Sequence, residues 1–391
     1  MVKTVSVCHI QPDFADLIDT EDNGDFYINV DESLDHVKEY RVSTGGHNNL
    51  VQIGPKLYSV DLEGKKYKFR AKEGNYADVT QDRWSCIDAI DQPVTQFALG
   101  DSDGNIRVFD STPTLQHDIR EAHLDEITCL KFFPSGQVLL SGSTDMRLKI
   151  WSLADESNPR TFQGHKSQIT DACMVERGRN FVSSSKDGTV KLWETGSGLA
   201  VHTFYRRENP LDGINTLALN KSLEVVSPRG SNTLEFGTEG KTVLAGHNSG
   251  VITAYDLFNK NQVTQLPGFF MSACNALARV PNDQNYLYAG YSNGALAQWD
   301  LRKTDKPVDH VLINEGIPIN HIYYHSNALY VSSGVDTAIR LDLQIPEGNI
   351  NAEAPTFLVA NDCQVAQFVA TPHNDSIIAV GNWGLCVRFQ Y

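Results

Sequence analysis

Apolar positions along this chain fall into short runs that alternate with polar ones, and Gly, Asn and Asp punctuate the runs at short intervals. Alternation with a period of two predicts half-buried strands joined by tight turns rather than helices. One segment recurs as a whole. It opens on Gly164-His165, continues through strands at 169–174 and 181–185, turns at Lys186-Asp187-Gly188 and ends in a strand at 190–193 that closes on Trp193. The block before it has the same plan: His123, strands at 127–133 and 138–141, Asp145, and a strand at 148–151 that closes on Trp151. The two tryptophans stand 42 residues apart, within the roughly 40–45 residues of a four-stranded propeller blade.

Weaker copies end at 106–110, 251–256, Trp299-Asp300, 339–343 and 386–391, which makes seven in all. A single four-stranded sheet cannot bury both of its faces, whereas a closed ring of such sheets can, and closure also hides most strand edges. The prediction is therefore an all-β protein, a seven-bladed WD-repeat β-propeller spanning residues 65–391. The chain ends on a third strand, so residues 66–71, just ahead of the first copy, are expected to supply the missing strand of the last blade. Residues 1–64 fall outside the repeat. Strands at 4–10, 26–30 and 57–62 and a short helix at 13–18 predict a small appended α+β domain. Insertions interrupt the period at 221–239 and 344–354.

Charge narrows the choice of partners. Against 33 Lys and Arg stand 48 Asp and Glu, a net charge of −15. Such a chain repels nucleic acid and anionic membranes and favours basic protein surfaces. Residues 1–40 carry ten of the acids and only two lysines, as a solvated face would. The seven cysteines are scattered singly, with no CxxC pair, which argues for a reducing compartment and against disulfides or a zinc site. No run approaches the roughly 20 apolar residues of a membrane span, and no secretory leader is evident. A cytoplasmic and nuclear protein is expected.

His165, Ser183 or Ser185, and Asp187 have the residue types of a hydrolase triad, but His123, Asp145 and Trp151 repeat the pattern one blade earlier. Duplication fits a structural duty: His123, Asp145 and Trp151 in one blade, and His165, Asp187 and Trp193 in the next, are expected to form buried hydrogen-bond networks that pin the loops. There is no phosphate-binding loop, no HExxH and no clustering of the 12 histidines. Neither catalytic residues nor a metal or cofactor site is predicted. Trp299-Asp300-Leu301-Arg302 has the form of a motif with which some WD proteins dock onto cullin-RING ubiquitin ligases; a substrate receptor of that kind, using Arg302, is the alternative function.

In a propeller one face is built from the loops between blades and the loops between second and third strands, and loops on a rigid scaffold carry variable contacts. Asp125, Glu126, Asp212, Glu315 and Asp362, with Asp82 as a weaker member, are expected to ring that face with carboxylates and to attract Lys or Arg on a partner.

Several segments go beyond the generic repeat: Phe132-Phe133-Pro134-Ser135-Gly136, Leu148-Lys149-Ile150-Trp151-Ser152, Arg177-Gly178-Arg179-Asn180, Leu234-Glu235-Phe236-Gly237-Thr238 and Ile313-Asn314-Glu315-Gly316. In these the chain resembles the proteasomal-ATPase-associated factor family in its yeast-type form, over nearly its whole length. The resemblance implies a non-catalytic, monomeric assembly chaperone of the proteasome regulatory particle. Such a chaperone binds the C-terminal domain of one base AAA ATPase subunit through the acidic upper face, possible companions being other base assembly chaperones in the same precursor complex. It leaves before the mature proteasome forms. One departure concerns the last loop, Asp362-Cys363-Gln364, where the resemblance implies a longer acidic run and Gln364 interrupts it.

Overall fold

The computed structural model describes residues 3–19, 25–33, 36–43, 50–75, 83–91, 95–221, 234–281, 283, 285–344, 348–371 and 376–390. Asp82 and residues 222–233 of the first insertion lie outside these.

Four antiparallel sheets of four strands follow one another in chain order: Trp84–Ile90 to Leu115–Ile119, Ile127–Phe132 to Arg160–Phe162, Ile169–Val175 to Ala200–Tyr205, and Ile214–Lys221 to Asn261–Leu266. A fifth, Cys274–Arg279 to Asp309–Leu312, carries an extra edge strand, Lys3–Thr4, in parallel register. A sixth begins at Ile319–His325, and a seventh comprises Val365–Thr371, Ser376–Gly381 and Cys386–Gln390. The first strand of each sheet packs against the first strand of the next, and Val365–Thr371 packs against Trp84–Ile90, so the seven blades close on themselves.

Why the blades approach so closely can be read at one recurring position. Gly100, Gly142, Gly246 and Gly290 sit near the ends of second strands, and a Cβ at any of them would stand 2.5–2.9 Å from a side chain such as Ile127, Ile169, Cys274 or Ile319 on the neighbouring blade. The seams are also latched from the channel side. Asp88 accepts the Phe132 N–H (2.7 Å), Asp171 the Leu217 N–H (2.9 Å), His321 the Phe368 N–H (3.3 Å) and Gln367 the Ile87 N–H (3.1 Å). Each of these bonds satisfies an inner-strand N–H that has no neighbouring strand in its own sheet.

Ring closure differs from the expectation. Lys65–Arg70 pairs not with the seventh blade but, in parallel, with Thr356–Leu358 of the sixth, and the hairpin of Leu57–Leu62 and Leu50–Gly54 extends the same sheet. The seventh blade is clasped a few residues later. Glu73 donates its N–H to the Arg388 carbonyl (3.0 Å), its carboxylate pairs with the Arg388 guanidinium, and Asn75 bridges Val387. The boundary at 64/65 therefore falls inside a turn between paired strands rather than between domains. Among its described residues the rest of the N-terminal segment has a sheet of Cys8–Ile10, Asp25–Ser33 and His36–Ser43 and one short helix, Phe14–Asp19. Phe14, Phe26, Tyr58 and Phe69 share one core with Tyr288, Leu341 and Phe357 of the propeller.

Candidate functional site

Two of the blades contain the anticipated hydrogen-bond network. His165 Nδ1 lies 3.0 Å from Asp187 Oδ2 and Nε2 lies 2.9 Å from Ser183 Oγ, while Trp193 Nε1 donates to the same Oγ at 2.8 Å. In the preceding blade His123 lies 3.0 Å from Asp145 Oδ2 and 2.7 Å from Ser141 Oγ, and Trp151 Nε1 donates to Ser141 at 2.9 Å. Because an indole can only donate, the serine accepts from it and gives its own proton to the imidazole, whose second nitrogen donates to the carboxylate. Asp187 and Asp145 also accept the Lys166 and Leu124 N–H groups. Burial is the largest single influence and raises both carboxyls, but the histidine bond and charge together with the backbone N–H bonds outweigh it, and Asp145 comes down to about 2. Every polar atom of the triad-like set is thus taken up in holding the loop, and the serine oxygen points at indole and imidazole, not at solvent.

The central channel is a cavity of about 560 Å³ lined by Asp88, Lys131, Asp171, His321 and Gln367 among others. These are the latch residues, with Lys131 3.7 Å from Asp88. Burial, helped by the nearby Lys131 charge, pushes His321 down to about 3, which keeps the ring neutral and able to accept the Phe368 N–H. Among the described residues no group of three or more His, Cys, Asp or Glu could hold a metal ion, all seven cysteines are free thiols, and no helix is long and apolar enough to cross a membrane.

The loop face is built by one repeated bond. In every blade the first residue after the second strand donates its N–H to the residue just ahead of the first strand: Ser102 to Arg83, Thr144 to Glu126, Lys186 to Gln168, Asn248 to Gly213, Ser292 to Ala273, Gly334 to Pro318 and Asn382 to Gln364, at 2.8–3.2 Å. The two loop sets therefore share one surface, which we call the upper face.

Its acids are not all alike. Asp125, Glu315 and Asp362 are exposed and Glu126 is half-buried. Asp212 is not available: it is buried, it pairs with Arg206 Nη1 at 2.6 Å, and it accepts the Ser249 hydroxyl at 2.5 Å. Exposed Lys166, Arg207 and Glu208 and half-buried Lys186 lie in the same sector, so the available carboxylates of the expected set form an arc on the loops entering the sixth, seventh and second blades rather than a ring. Asp336, in the turn between the second and third strands of the sixth blade, is also exposed in that arc. Burial and the Asp336 charge raise the Asp362 carboxyl, and His9 of the N-terminal sheet lowers it. The N-terminal segment extends the acidic patch: partial burial raises Tyr27, followed by the charges of Asp362, Asp13, Asp336 and Glu39. Glu315 stands on a cleft of about 280 Å³ shared with Val5, Asp31 and Val37. Gln364 has a structural task. Its Oε1 accepts from Asn382 Nδ2 (3.1 Å), and Asn382 Oδ1 in turn accepts from Arg83 (3.0 Å).

A family model for the WD domain, G-beta repeat, matches residues 114–152 and 157–194. Along 100% of its length the chain is 45% identical to the Saccharomyces cerevisiae protein "26S proteasome regulatory subunit RPN14", of which it covers 99%. The chain belongs to the RPN14 family. Another relative matches a shorter stretch: "Pre-mRNA-processing factor 17" of Mus musculus is 34% identical over 25% of this chain and 17% of its own. Among solved structures, "Crystal structure of RRP9 WD40 repeats" superposes with a TM-score of 0.63 over 81% of this chain and 98% of its own, and "Structure of U3-55K" with 0.62 over 81% and 99%; both are 15% identical and speak for the WD40 propeller fold alone. Membership in the RPN14 family makes this chain a proteasome-related WD-repeat factor.

Proposed function

We propose that this protein is a non-catalytic assembly chaperone of the proteasome regulatory particle. In this reading it binds the C-terminal domain of one base AAA ATPase subunit through the acidic arc of its upper face, works as a monomer in the cytoplasm and nucleus, and departs before the mature proteasome forms. The observation that carries the reading is the end-to-end similarity to a proteasome regulatory subunit. The exposed carboxylates at Asp125, Glu126, Glu315 and Asp362 support it, because potentials of opposite sign steer and orient protein partners. The serine-centred networks and latched channel support the non-catalytic part.

Affinity purification of the tagged chain tests the proposal. A free base ATPase subunit should be recovered in near-equal amount, with the mature particle absent; recovery of mature proteasome without any free ATPase subunit would overturn it. Glu126→Lys and Glu315→Lys should each weaken binding several-fold with little change in melting temperature, since neither carboxylate is needed inside the fold. Unchanged affinity in both would remove the acidic arc from the interface. Docking onto a ubiquitin ligase through Arg302 draws no support from the geometry: Nε and Nη2 of that guanidinium are held by Asp300 at 2.8 and 2.7 Å.

A further inference from the structure

The acids of the upper face are interleaved with apolar side chains that no core accounts for. Among the described residues the five most exposed large apolar side chains are Met271 (93%), Trp383 (86%), Leu211 (83%), Leu124 (80%) and Val335 (63%). All five are on upper-face loops, and none is on the blade edges or the opposite face. Leu124 precedes Asp125 and Glu126, and Val335 precedes Asp336. Singly exposed apolar residues are ordinary, but the largest of them collected on one face mark an interaction surface.

Trp383 stands out because its backbone is also unfavourable. Trp383 and Gly384 both have positive φ, 58° and 69°, and Leu385 donates its N–H back to the Asn382 carbonyl at 3.1 Å. This is a primed hairpin turn, whose first central position suits Asn, Asp or Gly and disfavours a bulky side chain. The chain thus holds a tryptophan in a strained position where its side chain is left largely in solvent. Strain kept without a packing return is a mark of a functional position.

We propose that Trp383 is the apolar anchor of the upper face, inserting into a basic, amphipathic surface of a folded protein partner. This rests on the function proposed above and adds to it the kind of surface the partner presents: an apolar pocket bordered by Lys or Arg. Charge complementarity selects that occupant. The loop of Trp383 is bonded on one side to the loop of Asp362, in the acidic arc, and on the other to Arg83; the net excess of acids on the chain disfavours nucleic acid and anionic lipid. Buried aromatic anchors ringed by polar contacts are where binding energy concentrates.

The chain carries its own reporter. Of its five tryptophans, Trp84, Trp151, Trp193 and Trp299 are buried and Trp383 alone is exposed. The full chain is titrated with each base ATPase subunit in turn while acrylamide quenching and the emission maximum are followed. Binding should shift the emission to the blue and protect it from acrylamide. Trp383→Asn, which suits the turn and should melt at or above the wild-type temperature, should weaken binding roughly tenfold or more without changing its salt dependence. Glu126→Lys should reduce the salt dependence. Binding that leaves Trp383 quenchable, or an affinity within twofold for Trp383→Asn, would overturn the anchor while leaving the chaperone reading in place. Should no ATPase subunit bind the wild type, the chaperone reading falls and the anchor with it. The same blue shift on self-association alone, or on zwitterionic vesicles, would overturn the proposed occupant.

Discussion

A single hydroxyl, that of Ser183, joins indole to imidazole in the third blade, and Ser141 does the same in the second. Ser183→Ala would leave the Trp193 N–H and the unprotonated His165 nitrogen buried without partners. The expected cost is about 2 kcal/mol, read as a lower midpoint in urea with an unchanged slope. A midpoint like wild type would show that water enters and replaces the hydroxyl. Histidines set the acid limit of the fold. Burial lowers His123 and His247, and His321 is pushed down to about 3. A histidine whose folded pKa lies below its unfolded value near 6.5 is protonated first in the unfolded chain. Its contribution is complete above that value and is lost as pH falls toward the folded pKa, by at most about 1.4 kcal/mol per pH unit for each group. Melting temperature should therefore drop between pH 7 and pH 5. His321→Gln imports the latch that Gln367 already makes one blade on, so it should hold the Phe368 N–H and shallow that drop. An unaltered pH profile would mean that His321 does not stay neutral.

Between blades the governing element is the second strand, whose end must lie against the next blade with almost no side chain. Gly142 illustrates this: an added Cβ would meet Cys129 Sγ at 2.7 Å and Ile169 Cγ2 at 2.8 Å, both in rigid inner strands. Gly142→Ala should cost about 1–3 kcal/mol from overpacking, measured as loss of chemical stability. A neutral result would show that the seam can open at no cost. The same scale explains what the sequence could reveal. Gly-His, Asp and Trp at blade spacing announce the blades because these residues bond to one another within a repeat. Tyr67, Phe69 and Ala71 announce a strand with one buried face, but alternation says nothing about which sheet edge receives it, and so the seventh blade, expected from chain order, gives way to the sixth in the structure. Asp212 looked like a rim acid because its neutralising partners, Arg206 and Ser249, are identified only by the folded geometry. Trp383 carried no signal at all, since a tryptophan near a strand end is ordinary until its exposure and its positive φ are known.

At the scale of the whole molecule the N-terminal segment decides whether the ring is one cooperative body. Residues 3–70 add strands to the fifth and sixth blades, and Phe14, Phe26 and Tyr58 share their core with the propeller. Residues 73–75 then clasp the last blade. These are two separable contributions. A chain starting at residue 65 keeps the clasp but uncovers Phe69, Phe357 and their neighbours, so it should remain folded, melt well below the full chain and tend to self-associate through the bared strand edge. A chain starting at residue 76 loses the clasp as well, and with it the backbone partners of the seventh blade's last strand; its unfolding should lose cooperativity, because a propeller with an open seam lets the end blades fray. Calorimetry of the three chains separates the contributions. The full chain should show one transition. If it showed two, or if the chain from residue 65 melted at the full-length temperature, the N-terminal segment would be an independent domain and the shared core would contribute little. The outcome bears on function as well, because the acidic arc draws residues from both parts and keeps its geometry only if they move together.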